Sequence, residues 1–220
     1  MIRQEGNLFI LETKGTTYCF QILPSGHLEH LYYGQKVNML ADASGVSEKH
    51  HFNAGNLIGY SKEYPWLGLE DYCLEMSSFG KGDIREPFIE IIYADGSRSS
   101  DFLYESASIY KGKKAFNTLP SSYGNEDEVM SLEIILRDVN EDLKLVLCYS
   151  VYEKCDVITR SSKLINESDE KLQLLRLMST QLDFDHNEYQ FTNFCGAWAR
   201  EMNRYNHLCH QGKIVNSAMT

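Results

Sequence analysis

An all-β, antiparallel sandwich is the fold this sequence predicts, on three observations. Apolar and polar residues alternate along most of the 220 residues, the pattern that turns one face of a strand inward. The connections between the alternating runs are short and rich in turn formers, such as "KGT" at 14–16 and "PSG" at 24–26. With 14 Tyr and 10 Phe among many Val, Ile and Thr residues, the chain is also well supplied with the side chains that suit a pleated, half-buried surface.

Taken in order, "NLFILET" (7–13), "TYCFQIL" (17–23) and "HLEHLYYG" (27–34) predict three early strands in a meander. Residues 35–80 are less regular, and Gly55, Gly59, Gly68 and "YPW" at 64–66 predict a long loop. Strands are then expected over "PFIEIIY" (87–93) and "SDFLYESASIYKG" (100–112), with Asp95-Gly96 between them closing a tight hairpin because Gly tolerates positive φ. The runs at 129–138, 143–153, 156–167 and 171–184 continue as strands with short connections. Over 171–182 a helix competes, since Leu172, Leu175, Met178 and Leu182 fall near a 3.6-residue spacing. The two-residue alternation of Lys171, Gln173 and Thr180 and the neighbouring strands favour a strand. A further strand-like run leads into "NFCGAWARE" (193–201). No repeat or linker divides the chain, so residues 1–220 are expected to form one domain. The closing "QGKIVNSAMT" lacks a cap or charged tail, which predicts that the fold continues beyond it.

Composition narrows the function. With 43% hydrophobic and 24% charged residues the chain is long enough for a sizeable core. Its 21 basic against 31 acidic residues give a net charge of -10, and no Lys/Arg-rich run occurs, so a nucleic-acid partner is excluded. The apolar run near the N-terminus is too short for a signal peptide and no later one approaches a membrane span, which predicts a cytoplasmic protein with no membrane partner. Six scattered cysteines without a C-x-x-C pair predict reduced, mostly buried thiols. "NES" at 166–168 reads as a turn.

Several chemistries fail on spacing. The acids of "NEDE" (125–128) and "DFDH" (183–186) read as solvated turns rather than a catalytic pair. His50-His51, and His207 with His210 on one face of a notional helix, lack a third ligand, so no metal is expected. There is no nucleophile elbow, and "GKGD" at 80–83 is a turn rather than a phosphate loop, so no cofactor is expected either. What remains suits a sugar, whose C–H faces lie on indole rings and whose hydroxyls pair with charged forks. Trp198 with Arg200 and Glu201, and Asp83 with Arg85 in "GDIREP", offer such groups. The plainer alternatives are a core tryptophan and a surface ion pair of Arg85 with Asp83 or Glu86.

The succession "SSFGKGDIREP", "ADGS", "IYKGKKAFNTLPSSY", "LEIILRD", "YEKCDVITRSSKLIN" and "FCGAWARE" resembles the N-terminal region of the family 36 glycoside hydrolases, the bacterial α-galactosidases. The resemblance is clear from about residue 75 to 201 and looser before. It implies a galactose mutarotase-like β-supersandwich followed, after residue 220, by a (β/α)8 barrel. It further implies removal of terminal α-galactose from melibiose and raffinose-type sugars with retention. The two catalytic aspartates would lie in the barrel, so this chain alone is expected to be inactive. The partners implied are α-galactoside sugars, the barrel of the same chain and neighbouring subunits of a homotetramer. By the match at "GAWARE", Trp198 falls on a sugar-lining tryptophan, and Gly196 and Ala197 would let the loop approach the sugar. The sequence departs from the family at "LEDYCLE" (69–75), where Glu70 stands about where an Arg is expected, so no role is carried over there. Residues 49–53, "KHHFN", match least. A stand-alone, lectin-like sandwich is the alternative, with Trp198 exposed and no turnover.

Overall fold

The computed structural model describes residues 1–38, 46–47, 58–116, 118–184, 188–209 and 212–217. It divides into two units, Met1–Leu182 and Asp183–Thr220.

In the first unit, strands β1 (Ile2–Glu5), β2 (Leu8–Glu12), β3 (Thr16–Ile22) and β4 (Leu28–Gln35) form an antiparallel meander in that order. β1 is an addition to the three strands the alternation predicts. Its "RQE" carries no apolar signal, and it becomes a strand by pairing Ile2 with Leu11 and Glu5 with Leu8. Between β3 and β4 the register slips after Cys19, which pairs with Tyr32 while Phe20 pairs with His30. The extra residue of such a bulge bends the strand.

A second four-stranded sheet comprises β6 (Phe102–Lys111), β7 (Met130–Asp138), β8 (Leu143–Tyr152) and β9 (Val157–Asn166), again in chain order. Alternate residues of both sheets meet in one core. Phe9, Leu11, Tyr18 and Phe20 come from the first sheet, and Leu132, Ile134, Leu136, Leu145, Leu147 and Tyr149 from the second. Two inner faces meeting in a shared core make a sandwich. Phe9 stacks on Phe20 and Phe20 on Tyr149, with ring centroids 5.0 and 5.3 Å apart.

Two expectations need correction. The turn at Asp95-Gly96 is made: Gly96 has φ +84, and its N–H donates to the Tyr93 carbonyl at 3.0 Å. It does not close a hairpin, however, because β5 (Ile89–Ile92) pairs with β10 (Gln173–Leu177) whereas β6 pairs with β7. The predicted strand over 171–184 shrinks to β10. Beyond Leu177 the backbone keeps one more bond to the β5 side, Met178 N–H donating to Phe88 O, and then the Gln181 side chain accepts from Ser77 N–H at 3.1 Å. Of the predicted loop at 35–80, the described part carries a 3₁₀ turn at Leu69–Asp71, whose Glu70 is half-buried, and buries Leu67, Leu69, Leu74 and Met76.

The second unit is one antiparallel hairpin, β11 (Gln190–Cys195) with β12 (Asn203–Leu208), in register from Gln190–Leu208 to Cys195–Asn203. β12, "NRYNHL", was not legible as a strand. It also places His207 on a ladder rather than on a helix. His210, His50-His51, "KHHFN" and the last two residues of "DFDH" lie outside the described residues.

Candidate functional site

The loop between β11 and β12 presents Trp198. Seven residues, 196–202, join Cys195 to Asn203. The loop folds on itself: Arg200 N–H donates to Ala197 O at 2.8 Å, Ala199 N–H to Glu201 Oε1 at 2.8 Å, and the Asn203 amide to Arg200 O at 2.9 Å. Ala199 and Met202 hold φ of +62 and +57, the left-handed region that side chains other than Gly occupy at a cost. A Cβ on Gly196 would stand 2.5 Å from Arg200 O and 2.8 Å from the Glu201 Cα. The missing side chain of Gly196 thus makes room for the loop's own backbone. The indole is 93% exposed, so the hairpin unit itself gives Trp198 no core to enter.

The first unit holds a buried ionic cluster that the sequence did not reveal. Glu75 is fully buried and accepts hydrogen bonds from Tyr18 Oη at 2.6 Å and Tyr149 Oη at 2.7 Å. Arg160 Nη1 lies 2.9 Å from Glu75 Oε1, and His30 Nδ1 lies 3.3 Å from Oε2. Burial pushes the Glu75 carboxyl up, but Arg160 and the His30 and Tyr18 hydrogen bonds outweigh it and hold it below its ordinary range. Burial and the Glu75 charge raise both tyrosines well above theirs. A groove of about 230 Å³ opens beside Arg160, bordered by Tyr18, Tyr33 and Thr180 among others. Both Arg160 terminal nitrogens nevertheless donate to protein acceptors, including Tyr18 Oη and Gln181 O. The cluster ties β3, β4, β8 and β9 to the loop carrying Glu75.

A second chain of hydrogen bonds runs through Ser25, His27, Asp101 and Tyr60. Ser25 Oγ is 2.9 Å from His27 Nδ1, His27 Nε2 is 3.0 Å from Asp101 Oδ1, and Tyr60 Oη donates to Asp101 Oδ2 at 2.9 Å. Burial raises the Asp101 carboxyl, and the bonds from His27 and Tyr60 with the Lys81 charge more than reverse this. The chain pins the turn between β3 and β4 to the start of β6.

The other sugar-chemistry candidates are spoken for. Arg85 grips both oxygens of Asp83 at 3.0 Å and donates to the carbonyls of Leu69 and Tyr72. The expected pair thus exists, but the Asp83 side chain is only 1% exposed and the pair braces the 69–72 loop rather than decorating the surface. "GKGD" is a turn, with Gly80, Lys81 and Gly82 all at positive φ. "NEDE" is one too, Asn125 N–H donating to Glu128 Oε2 at 3.1 Å, and Asn166 Oδ1 of "NES" accepts from Ser168 N–H at 3.1 Å. No disulfide links the six cysteines; only Cys19 is buried, against the expectation for most of them, because the others fall on strand faces or turns outside the core. Burial pushes the Cys19 thiol up to about 12.

Residues 26–220 match the model described as the glycosyl hydrolase family 36 N-terminal domain. This chain belongs to glycoside hydrolase family 36. Among relatives of this family 36 domain, α-galactosidase AgaA of Geobacillus stearothermophilus is 34% identical over 194 residues, 88% of this chain and 26% of its own length. The bifunctional α-galactosidase/sucrose kinase AgaSK of Mediterraneibacter gnavus is 35% identical over 198 residues, 89% of this chain and 21% of its own. Among solved structures, the α-galactosidase of Lactobacillus brevis superposes with a TM-score of 0.87 at 32% identity, covering 93% of this chain and 28% of that one. A variant of AgaA in complex with raffinose superposes at 0.85 and 32%, covering 93% and 28%. The family 36 chain described here thus spans about a quarter of the length of the proteins it matches.

One signal for the Glu75 cluster was present in the family 36 sequence. Arg160 shares the inward phase of β9 with Ile158 and Leu164, both of which pack on the core. A basic residue on the apolar phase of a strand requires a buried acceptor. Nothing local indicates which acid supplies it.

Proposed function

We propose that this chain is the non-catalytic N-terminal domain of a retaining α-galactosidase acting on melibiose and raffinose-type sugars. In this reading Trp198 forms part of the wall of the galactose pocket. The two carboxylates that retention needs, about 5 Å apart, would lie in a (β/α)8 barrel following residue 220. Support comes from family membership, from relatives named α-galactosidase, and from a relative solved with raffinose bound.

The observation that carries the reading is the exposed indole on an ordered loop. An indole offers a flat apolar face to the C–H side of a pyranose and an N–H to a hydroxyl. The apolar side chains of the same hairpin, Phe194 and Met202 near the loop and Leu208 at its far end, are exposed. In the assembled enzyme they would be covered by the barrel and by neighbouring subunits of a homotetramer.

The test is made in the full-length protein. Trp198→Ala is expected to lower kcat/KM for melibiose by about 30-fold, the loss typical of removing a central Trp contact, with the melting temperature nearly unchanged. Wild-type kinetics would sink the reading. The isolated chain is expected neither to cleave a chromogenic galactoside nor to bind one, and tight binding without turnover would instead support a lectin-like domain.

A further inference from the structure

We propose that Glu201 is a positioning residue that fixes the direction in which Trp198 is presented, assisted by Asn203 and Gly196. The inference rests on the sugar-wall reading of Trp198 for its kinetic consequence, but its structural content stands on the loop alone. The indole is 93% exposed, so packing does little to orient it and the backbone beneath must do so.

That backbone is strained at two positions, Ala199 and Met202, both left-handed without being Gly. Left-handed non-glycine residues persist where their surroundings over-determine them. The surroundings here are few and specific. The Glu201 carboxylate accepts the N–H of Ala199 at 2.8 Å, the residue directly after Trp198. The Asn203 amide, anchored at the first ladder pair of β12, donates to Arg200 O at 2.9 Å. Gly196, at the opposite end of the loop, lets the Arg200 carbonyl come to where a Cβ would stand at 2.5 Å. The charge-assisted bond from Glu201 is the strongest class among these. It closes the loop from the side chain rather than through the ladder. Without it, the Ala199 N–H loses its intramolecular acceptor and the left-handed turn loses the contact that selects it. An indole on a loosened turn would have to be ordered each time a sugar binds, and that ordering cost is what a pre-formed site avoids.

The experiment compares Glu201→Ala with Glu201→Gln, each alone and combined with Trp198→Ala. Kinetics on melibiose are read in the full-length protein, and Trp198 fluorescence anisotropy in the 220-residue chain in a Trp66→Phe background, Trp66 being the only other tryptophan of these 220 residues. Glu201→Ala is expected to lower kcat/KM about tenfold, as for loss of one hydrogen bond to a charged group, and to lower the anisotropy of Trp198. Glu201→Gln keeps an acceptor oxygen and is expected to restore most of both. On top of Trp198→Ala, Glu201→Ala should cost little more. An additive loss in that double variant would overturn the proposal, because Glu201 would then act on the substrate itself. Unchanged anisotropy in Glu201→Ala would overturn it as well. If Trp198→Ala leaves kinetics at wild type, the sugar-wall reading falls, and the anisotropy still decides whether Glu201 orders the loop.

Discussion

The β7–β8 and β11–β12 ladders obey the same antiparallel rules and end differently. In the first, Leu132, Ile134, Leu136, Leu145, Leu147 and Tyr149 turn inward and are fully buried. In the second, six residues pair with six, yet none of the described residues of that unit is buried, and Phe191, Phe194, Tyr205 and Leu208 remain exposed. Backbone pairing therefore does not separate core from surface; what lies over the apolar face does. A lone two-stranded hairpin is at best marginal in water, so the order of the Trp198 loop depends on its own hydrogen bonds. Polar groups follow the same division. In the first unit they are consumed in buried clusters around Glu75 and Asp101. In the second they shape a loop that offers a side chain outward.

The largest expected effect falls on the buried side of that comparison. Arg160→Met would strand the Glu75 carboxylate without its cation, a change that costs about 3–5 kcal/mol when one partner of a buried pair is removed. For a chain of this size each kcal/mol moves the melting temperature by about 2–4 °C, so calorimetry should record a fall of about 6–20 °C. Adding Glu75→Gln to it should return part of the loss. A variant melting within a degree of wild type would mean that Glu75 is not carried as an anion.

Much of the first unit was legible because its strands advertise themselves. Burial alternates along most of β7 and β8, as the apolar–polar pattern predicts, whereas β2, "LFILE", is apolar on both faces and buried throughout. β1 and β12 are strands only by pairing; "RQE" and "NRYNHL" carry no local signal. The Asp95-Gly96 turn was readable as local chemistry, but the partner of β5 arrives from more than eighty residues on, beyond the reach of any turn motif. Trp198 stood out because its neighbours are small. The reason they are small differed: Gly196 makes room for the loop's own Arg200 carbonyl. Glu75 could not be matched to Arg160 because they come from distant elements, and only the fold places them 2.9 Å apart.

Acid sharpens the comparison next. Glu75 and Asp101 are both held below their ordinary values of 4.5 and 3.8. A carboxyl whose folded pKa is depressed contributes stability that is fully present above its unfolded value and is lost as pH falls through the folded one. The melting temperature should therefore be flat near neutrality and decline as pH drops below about 4.5. The gap between wild type and Glu75→Gln should narrow over the same range, and a gap that is constant down to pH 3 would contradict the ionised cluster.

A smaller effect is expected at the turn that leads into the Asp83–Arg85 brace. Gly80 has φ +103, and a Cβ there would meet Ser99 Oγ at 2.4 Å. Gly80→Ala combines about 1–2 kcal/mol of left-handed backbone cost with that clash. Gly96→Ala has the same sign of φ, at +84, but open space around it, and isolates the backbone cost. Denaturant unfolding should rank Gly80→Ala as the more damaging of the two; equal losses would show that the contact with Ser99 relaxes freely.

The smallest effect falls where the sugar reading expects the greatest loss of activity. Trp198→Ala in this 220-residue chain removes the largest side chain type in proteins from a position that is almost wholly solvated. No buried apolar area is lost, no cavity forms, and the hydrogen bonds of residues 197–203 involve backbone, Glu201 and Asn203 rather than the indole. The melting transition should move by less than about 0.5 kcal/mol, the range of surface changes. Phe20→Ala, a ring removed from the centre of the sandwich, should cost about 3–5 kcal/mol and serves as the control for sensitivity. A fall of several degrees for Trp198→Ala would mean that the indole has a packed partner in solution, and the division between a sandwich with a buried core and a hairpin without one would have to be redrawn around that contact.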